Sequence, residues 1–256
     1  MSKLFSKIAV IGLGYVGLPL SLQFARSGVS VLGIDLDSKK VDSINKGKSY
    51  LKHFSSESIA EQVNEGRFEA TTNSARISEV EAILICVPTP LNQYREPDLS
   101  FVLDTAESLA SYLPRGVLVT LESTTYPGTT EDELRSVLEE GSGMKAGVDF
   151  HLAYSPERED PGREDASVKT IPKVVGGYTQ ECCDLATDLY SQGIDVIHRV
   201  SSCRVAEATK LLENIFRSVN IALVNELKVV YEAMNIDVHE VISAAATKPF
   251  GFMAFK

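Results

Sequence analysis

The sequence has no apolar run long enough to cross a membrane, because no stretch approaches about 18 consecutive apolar residues. Its first residues, MSKLFSKIAVIGLG, lead directly into a strand candidate and a glycine-rich turn, which is not the pattern of a signal peptide. We therefore expect neither a membrane span nor a secretory leader. A cytoplasmic location is the default expectation.

The sequence also lacks clustered basic residues and paired cysteines. Its formal net charge is −10 and its lysines and arginines are scattered, which argues against a nucleic-acid partner. An acidic surface still permits a phosphate ligand, since backbone N–H groups at a helix terminus can bind one locally. The four cysteines form no CxxC pair and have no histidine at zinc-binding spacing, so we expect no metal site.

Short apolar runs alternate with stretches of helical spacing over the first 200 residues. Strand candidates are Lys7–Ile11, Val29–Ile34, Ala82–Val87, Gly116–Thr120, Asp149–Tyr154, Lys173–Val175 and Ile194–Ile197. Helix candidates are Val16–Ser27, Leu99–Tyr112, Thr130–Glu140 and Gln180–Ser191. This alternation predicts an α/β fold of the Rossmann type, a doubly wound and mostly parallel sheet with helices on both faces.

The pattern changes at about Ser201, where helical spacing continues for more than 30 residues without glycine or proline. A break at Asn235–Asp237 and a short helix at Val238–Ala245 follow, and the last residues, KPFGFMAFK, form an aromatic-rich loop. We therefore expect a Rossmann domain over residues 1–200. Residues 201–256 should hold a long central helix and the start of a helical dimerisation domain.

The segment IAVIGLGYVG supplies Gly12, Gly14 and Gly17 directly after a strand and at the head of a helix. In a dinucleotide fingerprint, the first glycine permits the tight turn, the second admits a pyrophosphate, and the third lets helix and strand pack closely. Asp35 ends the second strand candidate, at the spacing where a carboxylate accepts the ribose hydroxyls. The segment therefore predicts an NAD site that includes Tyr15 and Val16, with NAD preferred over NADP. The alternative is a glycine-rich turn without a ligand.

Four segments, in order along the chain, resemble the UDP-sugar dehydrogenase family, the UDP-glucose and UDP-N-acetylhexosamine 6-dehydrogenases. They are GLGYVGLPL at 12–20, ICVPTPL at 85–91 with REPDLS at 95–100, ESTTYPGTT at 122–130 with SPERED at 155–160, and AEATKLLENIFRSVNIALVNEL at 206–227. The resemblance implies oxidation of the C6 alcohol of a UDP-sugar to a carboxylate with two NAD in succession. SPERxDPG is similar to the UDP-N-acetylhexosamine branch, so UDP-N-acetylglucosamine is the first expectation, ahead of UDP-N-acetylmannosamine and UDP-glucose. Pro161 stands where the UDP-glucose branch has a second glutamate.

The resemblance also implies roles for individual residues. Lys210 and Asn214, four apart on the long helix, would donate to a developing oxyanion. Glu157 would activate the hydrolytic water and Thr124 would position it, while Thr89 and Thr124 would approach the cofactor. The alternatives are a solvated helix face for the first pair, a loop carboxylate for Glu157 and a helix cap for Thr124.

Four further positions are candidates for contact with the substrate. Arg158 could instead pair with Glu157, Glu159 or Asp160, and Asn225, on the long helix, could face the core. Phe250 and Gly251 resemble the start of the family's substrate loop, although an aromatic loop could equally be core without its partner.

In the family, a catalytic cysteine follows the aromatic loop in a GGHC-like segment, and this chain reaches Lys256 before one appears. None of its own cysteines, Cys86, Cys182, Cys183 and Cys203, is a suitable replacement. We therefore expect a chain that lacks the nucleophile and the UDP-binding C-terminal domain, binds NAD and does not complete the reaction alone. The long helix, which forms the family's dimer core, predicts a homodimer.

Two other functions remain open from the sequence. A hydroxyacid or hydroxyacyl dehydrogenase would share the Rossmann domain and the helical lysine and asparagine, and would need no cysteine. A non-catalytic NAD-binding or dimerising protein would also fit the missing nucleophile.

Overall fold

The computed structural model describes residues 4–51, 54–158 and 168–255, which form an eight-stranded sheet with helices. The strands are β1 (Lys7–Ile11), β2 (Ser30–Ile34), β3 (Phe68–Thr71), β4 (Ala82–Ile85), β5 (Leu118–Leu121), β6 (His151–Tyr154), β7 (Lys173–Gly177) and β8 (Ile197–Val200). Their spatial order is β3-β2-β1-β4-β5-β6-β7-β8. In the described residues, no helix has the length and apolarity that a membrane crossing requires.

Strands β1 to β6 are parallel to one another, and they follow the strand order of a dinucleotide-binding fold. The order reverses between β1 and β4, whose registers pair Ile11 with Ile85. Ligands of open α/β sheets bind outside the carboxyl ends of the strands at such a point. β7 is antiparallel to β6, so its first residue, Lys173, lies at this same edge.

α-Helices connect β1 to β2, β2 to β3, β4 to β5, β5 to β6 and β7 to β8. The α-helices are α1 (Gly17–Arg26), α2 (Ser38–Asn45), α3 (Ser56–Asn64), α4 (Ser100–Ala110), α5 (Arg135–Ser142), α6 (Gln180–Ser191), α7 (Cys203–Ala233) and α8 (Val238–Ala245). A 3₁₀ turn covers Ser74–Glu79, and a π-helical turn covers Thr129–Leu134 and continues into α5.

The core lies on both faces of the sheet. Ile8 and Val10 of β1 belong to the cluster that also contains α1 and α6 side chains, whereas Ala9 and Ile11 belong to the cluster on the α4 side. Because both faces are covered, the central strands are continuously apolar and not alternating. The Rossmann-type α/β fold that the sequence predicts is therefore confirmed.

Most predicted elements agree with the structure to within a few residues, and α6 and α8 agree at both ends. One predicted boundary was wrong. The last strand begins at Ile197, three residues after the predicted start, because Gly193 and Ile194 complete the turn that ends α6 with N–H bonds to Tyr190. Strand β3 and helices α2 and α3 were not predicted, since FEAT is short and the two helices are mostly polar.

The chain divides into two compact units, Met1–Ala208 and Thr209–Lys256, and the boundary falls within α7. In the second unit, α7 carries exposed apolar side chains at helical spacing, namely Leu212, Ile215, Val219, Leu223 and Val230. The helix ends where Asn235 adopts a positive φ of 54°, and Asp237 caps α8 through the N–H of His239. The asparagine explains the predicted break, because its side chain tolerates the left-handed conformation.

Candidate functional site

The loop between β1 and α1 contains three glycines, and each position favours glycine for a different physical reason. Gly12 has a φ of +89°, and a Cβ there would lie 2.8 Å from the carbonyl oxygen of Cys86. A Cβ on Gly17 would lie 1.9 Å from the carbonyl oxygen of Gly12, so helix and loop are in direct backbone contact. A Cβ on Gly14 would meet nothing within 4 Å. The open face of the loop is therefore at Gly14, where the N–H groups at the start of α1 can face an anion.

Both polar groups of the Leu13 peptide in this loop are held in place. Its N–H donates to Oδ2 of Asp35 at 2.8 Å, and its carbonyl accepts from the hydroxyl of Tyr50. Asp35 also accepts from the N–H of Asp37 at 2.9 Å and from Nζ of Lys40 at 3.1 Å. The carboxylate at the end of β2 thus fixes the loop and lies beside it, as the fingerprint requires.

Tyr15 and Val16 lie at the turn into α1. Tyr15 is 65% exposed, and Val16 is half-buried and packs against the core at the N-cap position of the helix. No atom of the Val16 side chain lies within 4 Å of a Cβ built on Gly14.

Thr89 and Thr124 follow neighbouring strands, β4 and β5, and the structure brings them together. The hydroxyl of Thr89 donates to the carbonyl oxygen of Thr124 at 2.7 Å, and Ser123 Oγ donates to the carbonyl of Val87 at 2.6 Å. The helix-cap alternative for Thr124 is excluded, because the following turn begins at Gly128 without a side-chain cap.

Glu157 and Arg158 follow β6 at the same edge of the sheet, and both are half-buried. Arg158 donates to the carbonyl oxygen of Pro172 at 2.7 Å, a contact that the sequence did not suggest. Two of its predicted alternative partners, Glu159 and Asp160, and also Pro161, lie outside the described residues.

A buried ionic cluster lies behind this edge. Glu122, the residue after β5, accepts hydrogen bonds from Nζ of Lys173 and from the hydroxyl of Tyr190 on α6. Burial raises the pKa of Glu122, although the ammonium of Lys173 opposes that shift. Burial and the Glu122 carboxylate also raise the pKa of the Tyr190 hydroxyl. Removal of one member would leave a buried charge without its partner.

A second buried carboxylate, Glu207, joins the first turn of α7 to the loop after β5. It accepts from the N–H of Gly128 at 2.7 Å and from the N–H and hydroxyl of Thr130 at 2.9 and 2.8 Å. Burial raises its pKa, against the lowering effect of these three donors. The loop that carries Thr124 is therefore anchored at its far end.

Lys210, Asn214 and Asn225 lie on α7 in the second unit. At about 100° per residue, the three positions fall within an arc of about 60°, so they share one face of the helix. That face is opposite the stripe that contains Val219 and Leu223. The predicted pairing of Lys210 and Asn214 on one face thus agrees with the observed helix.

The aromatic loop after α8 is ordered by contacts within its own unit. Phe250 is 71% exposed, and its ring lies 4.9 Å from Nζ of Lys248. Gly251 has a φ of +72°, which favours glycine at this turn, and Phe255 packs edge-on against Phe216 of α7 at 5.8 Å.

All four cysteines are free and buried. Burial raises the pKa of Cys86 and Cys203 well above the usual value of a thiol. Cys182 differs, since hydrogen bonds with His151, Thr179 and the N–H of Leu152 outweigh the effect of burial and lower its pKa. Its side chain has no exposed surface, so its thiol cannot reach a substrate.

The sequence analysis missed Glu122, Lys173 and Glu207. A signal for the first two was available, because a glutamate that ends the apolar run LVTLE and a lysine that begins KVVGG are opposite charges at the ends of buried strands. Glu207 lies inside the segment 206–227 that resembles the family. Its proximity to Gly128, however, results from the fold and leaves no signal in the sequence spacing.

Comparisons with known proteins place the chain in one enzyme family. Residues 6–194 match the NAD-binding domain of the UDP-glucose/GDP-mannose dehydrogenase family, and residues 204–256 match its central domain. The chain belongs to the UDP-glucose/GDP-mannose dehydrogenase family. The predicted resemblance is confirmed, and the cofactor of the matched domain is NAD.

Relatives within this family are similar over nearly the whole chain. UDP-N-acetyl-D-glucosamine 6-dehydrogenase of Salmonella typhi is 39% identical over 98% of this chain, and UDP-N-acetyl-D-mannosamine dehydrogenase of Escherichia coli K12 is 38% identical over 96%. A solved structure of UDP-D-ManNAc dehydrogenase from Pyrococcus horikoshii superposes with a TM-score of 0.90 at 36% identity over 96% of this chain. The chain spans 58%, 59% and 58% of these three proteins, respectively.

The residues of the glycine-rich loop fit NAD. The space at Gly14 would be filled by any side chain, the carboxylate of Asp35 lies at the end of β2, and the hydroxyl of Thr89 lies at the end of β4. A dinucleotide that crosses the switch point between β1 and β4 would lie along these three positions.

Proposed function

We propose that this chain is the NAD-binding and partly catalytic region of an enzyme that oxidises the C6 alcohol of a UDP-N-acetylhexosamine to a carboxylate. The open backbone at Gly14, beside the carboxylate of Asp35, is the observation that carries the proposal. An acidic residue at this position favours the free ribose hydroxyls of NAD over the 2′-phosphate of NADP.

The proposed cofactor contacts follow from the geometry of the strand ends. The backbone from Gly12 to Gly17 would hold the pyrophosphate at the N-terminus of α1, and Asp35 would accept the ribose hydroxyls. Tyr15 and Val16 would flank the pyrophosphate, and Thr89 and Thr124 would lie on the nicotinamide side. When bound, NAD supplies the hydride acceptor for each of the two oxidation steps.

The remaining chemistry would use side chains of this chain. Lys210 and Asn214 would donate to the oxyanion that develops on the substrate, and Glu157 would take a proton from the hydrolytic water. Thr124, whose backbone is held by Thr89, would orient that water. Arg158, Asn225, Phe250 and Gly251 are the proposed substrate contacts.

UDP-N-acetylglucosamine is the substrate that we propose first. The support is the segment SPER after β6, together with relatives that are named for the N-acetylglucosamine and N-acetylmannosamine substrates. UDP-N-acetylmannosamine is the next choice, because the two sugars differ only in the configuration at C2.

The covalent step needs a nucleophile that this stretch does not expose. Each of its cysteines is buried, and three of them, Cys86, Cys183 and Cys203, belong to the hydrophobic core. We therefore propose that these 256 residues bind NAD without completing the oxidation alone. The same burial favours a second candidate function, NAD binding without catalysis.

We also propose a homodimer through α7. Five apolar side chains, from Leu212 to Val230, recur at intervals of three, four or seven residues and are exposed along about five turns of one face. A helix stripe of this kind requires a partner.

The decisive experiment compares this chain with a longer version that spans the full family length, in the presence of NAD and each UDP-sugar. We expect NAD binding by both proteins, and formation of two NADH for each UDP-N-acetylglucosamine by the longer one only. Glu157→Gln in the longer protein should stop the reaction before the final hydrolysis, after two NADH have formed once for each active site. Equal turnover by Glu157→Gln, or oxidation of a small hydroxyacid in place of the UDP-sugar, would contradict the proposal.

A further inference from the structure

Tyr50 contacts the glycine-rich loop from another part of the chain. It lies between α2 and α3, 37 positions from Leu13, and its hydroxyl donates to the Leu13 carbonyl oxygen. The carboxylate of Asp35 accepts from the N–H of the same residue at 2.8 Å. The two contacts fix two successive peptide units, because the N–H of Leu13 belongs to the peptide with Gly12 and its carbonyl belongs to the peptide with Gly14.

The second of these peptide units carries the N–H group of Gly14. The described residues contain no cis peptide bond, and in a planar trans peptide the carbonyl and the N–H point in opposite directions. The N–H of Gly14 therefore points away from the Tyr50 hydroxyl. Gly14 is also the residue on which a Cβ would meet nothing within 4 Å. The direction of this N–H at the open face of the loop thus depends on the contact between Tyr50 and the Leu13 carbonyl.

The side chain of Tyr50 is itself held in place. Its ring is half-buried and packs against the core cluster that contains side chains of α1. The next residue, Leu51, is buried, and the Ser49 hydroxyl donates to its carbonyl at 3.0 Å and accepts from its N–H at 3.2 Å. Burial, together with the carboxylates of Asp35 and Asp37, raises the pKa of Tyr50. The hydroxyl therefore keeps its proton at neutral pH and remains a donor.

We propose that Tyr50 is a positioning residue for the cofactor: its hydroxyl holds the Leu13 carbonyl and thereby aims the N–H of Gly14 at the pyrophosphate of NAD. An N–H group that is oriented before the anion arrives loses less conformational freedom when the anion binds. Asp35 holds the preceding peptide and faces the ribose, so the contribution of Tyr50 concerns the phosphate. The inference rests on the proposed position of the pyrophosphate at this loop.

The variant that tests this role is Tyr50→Phe, which keeps the ring and removes only the hydroxyl. The Leu13 carbonyl then loses its donor, and the N–H of Gly14 is no longer fixed in direction. We expect the affinity for NAD and for ADP to fall about five- to tenfold. The affinity for adenosine, which has no phosphate, should stay within about twofold of the native value. Tyr112→Phe, which removes an exposed hydroxyl after the end of α4, is the matched control.

Calorimetric titration measures the binding of NAD and ADP, and NMR titration measures the weaker binding of adenosine. Thermal unfolding establishes whether each variant is folded at the titration temperature. A purely structural role for Tyr50 would loosen the adenosine side of the site as well, so equal weakening of adenosine and ADP would overturn the inference. Unchanged affinity for ADP in folded Tyr50→Phe would also overturn it. An unfolded Tyr50→Phe would do the same, because the hydroxyl would then serve the fold and not the anion site.

Gly14→Val separates this inference from the proposed function. Native affinity for ADP in folded Gly14→Val would mean that the pyrophosphate does not lie at this loop, and both proposals would fail. Loss of ADP binding in Gly14→Val, together with native affinity in Tyr50→Phe, would leave the NAD site in place and exclude only the role of Tyr50.

Discussion

The carboxylate of Glu207 accepts a hydrogen bond from the backbone N–H of Gly128 at 2.7 Å, although 79 positions separate the two residues. Gly128 has a φ of +111°, which favours glycine, and it starts the π-helical turn at Thr129–Leu134. Glu207 thus takes the place of a side-chain cap for that turn. The contact joins the start of α7 to the loop that carries Thr124.

The first prediction concerns this contact. Glu207→Ala leaves the buried N–H groups of Gly128 and Thr130 without acceptors, so we expect a loss of about 3 kcal/mol in the free energy of unfolding. Chemical denaturation measures this loss, and Glu107→Ala on the exposed face of α4 is the matched control. Equal stability of the two variants would contradict a structural role for Glu207.

The second prediction is the pH dependence of the same site. Burial raises the pKa of Glu207 in the folded protein above its ordinary value of 4.5. Below pH 4.5 the Glu207 side chain is protonated in both the folded and the unfolded state. Above pH 4.5 the unfolded state ionises first. The stabilising effect of Glu207 therefore decreases as the pH rises through the folded pKa. The stability advantage of the native protein over Glu207→Gln, measured by urea unfolding, should therefore be larger at about pH 4 than at about pH 7. An advantage that grows over this range would show that the pKa is lowered.

The third prediction concerns the thiols. Because all four cysteines are buried, iodoacetamide should add no group to the native chain within minutes and four groups after denaturation. Intact mass spectrometry distinguishes the two states. Rapid modification of Cys182, whose pKa is lowered by its hydrogen-bonding partners, would show that it is accessible and would reopen the question of a nucleophile in this stretch.

The fourth prediction concerns the exposed stripe on α7. Val219→Glu places a charge in the middle of the apolar face and should convert a dimer to a monomer in sedimentation velocity experiments. Lys228→Glu is the control, because position 228 lies about 180° from position 219 around the helix. A native chain that sediments as a monomer would contradict the proposed interface.

Much of the fold could be predicted from the sequence, because apolar strands and a long helix leave strong periodic signals. Strands β1, β2, β4, β5, β6 and β7 and the ends of α6 and α8 follow such signals directly. Strand β3 could not be predicted, since only Phe68 and Ala70 of its four residues are buried, and its place at the edge of the sheet comes from pairing with β2.

The candidate site was only partly predictable for a related reason. The glycines and Asp35 belong to one local motif, the dinucleotide fingerprint, so their sequence spacing alone indicates them. Lys173 and Glu122 lie 51 positions apart and meet only because β7 runs antiparallel to β6. No local pattern contains that reversal, and the contact of Arg158 with Pro172 has the same origin.

The fifth prediction tests the central claim, that the chain binds NAD at the open face of its glycine-rich loop. Gly17→Ala should unfold at a clearly lower temperature than the native protein, because its Cβ would lie 1.9 Å from a backbone oxygen, whereas Gly14→Val should unfold near the native temperature. Calorimetric titration with NAD and NADP then decides the claim. We expect NAD to bind the native chain, NADP to bind at least about tenfold more weakly, and Gly14→Val to lose NAD binding while it stays folded. Undiminished binding of NAD by folded Gly14→Val would contradict the account.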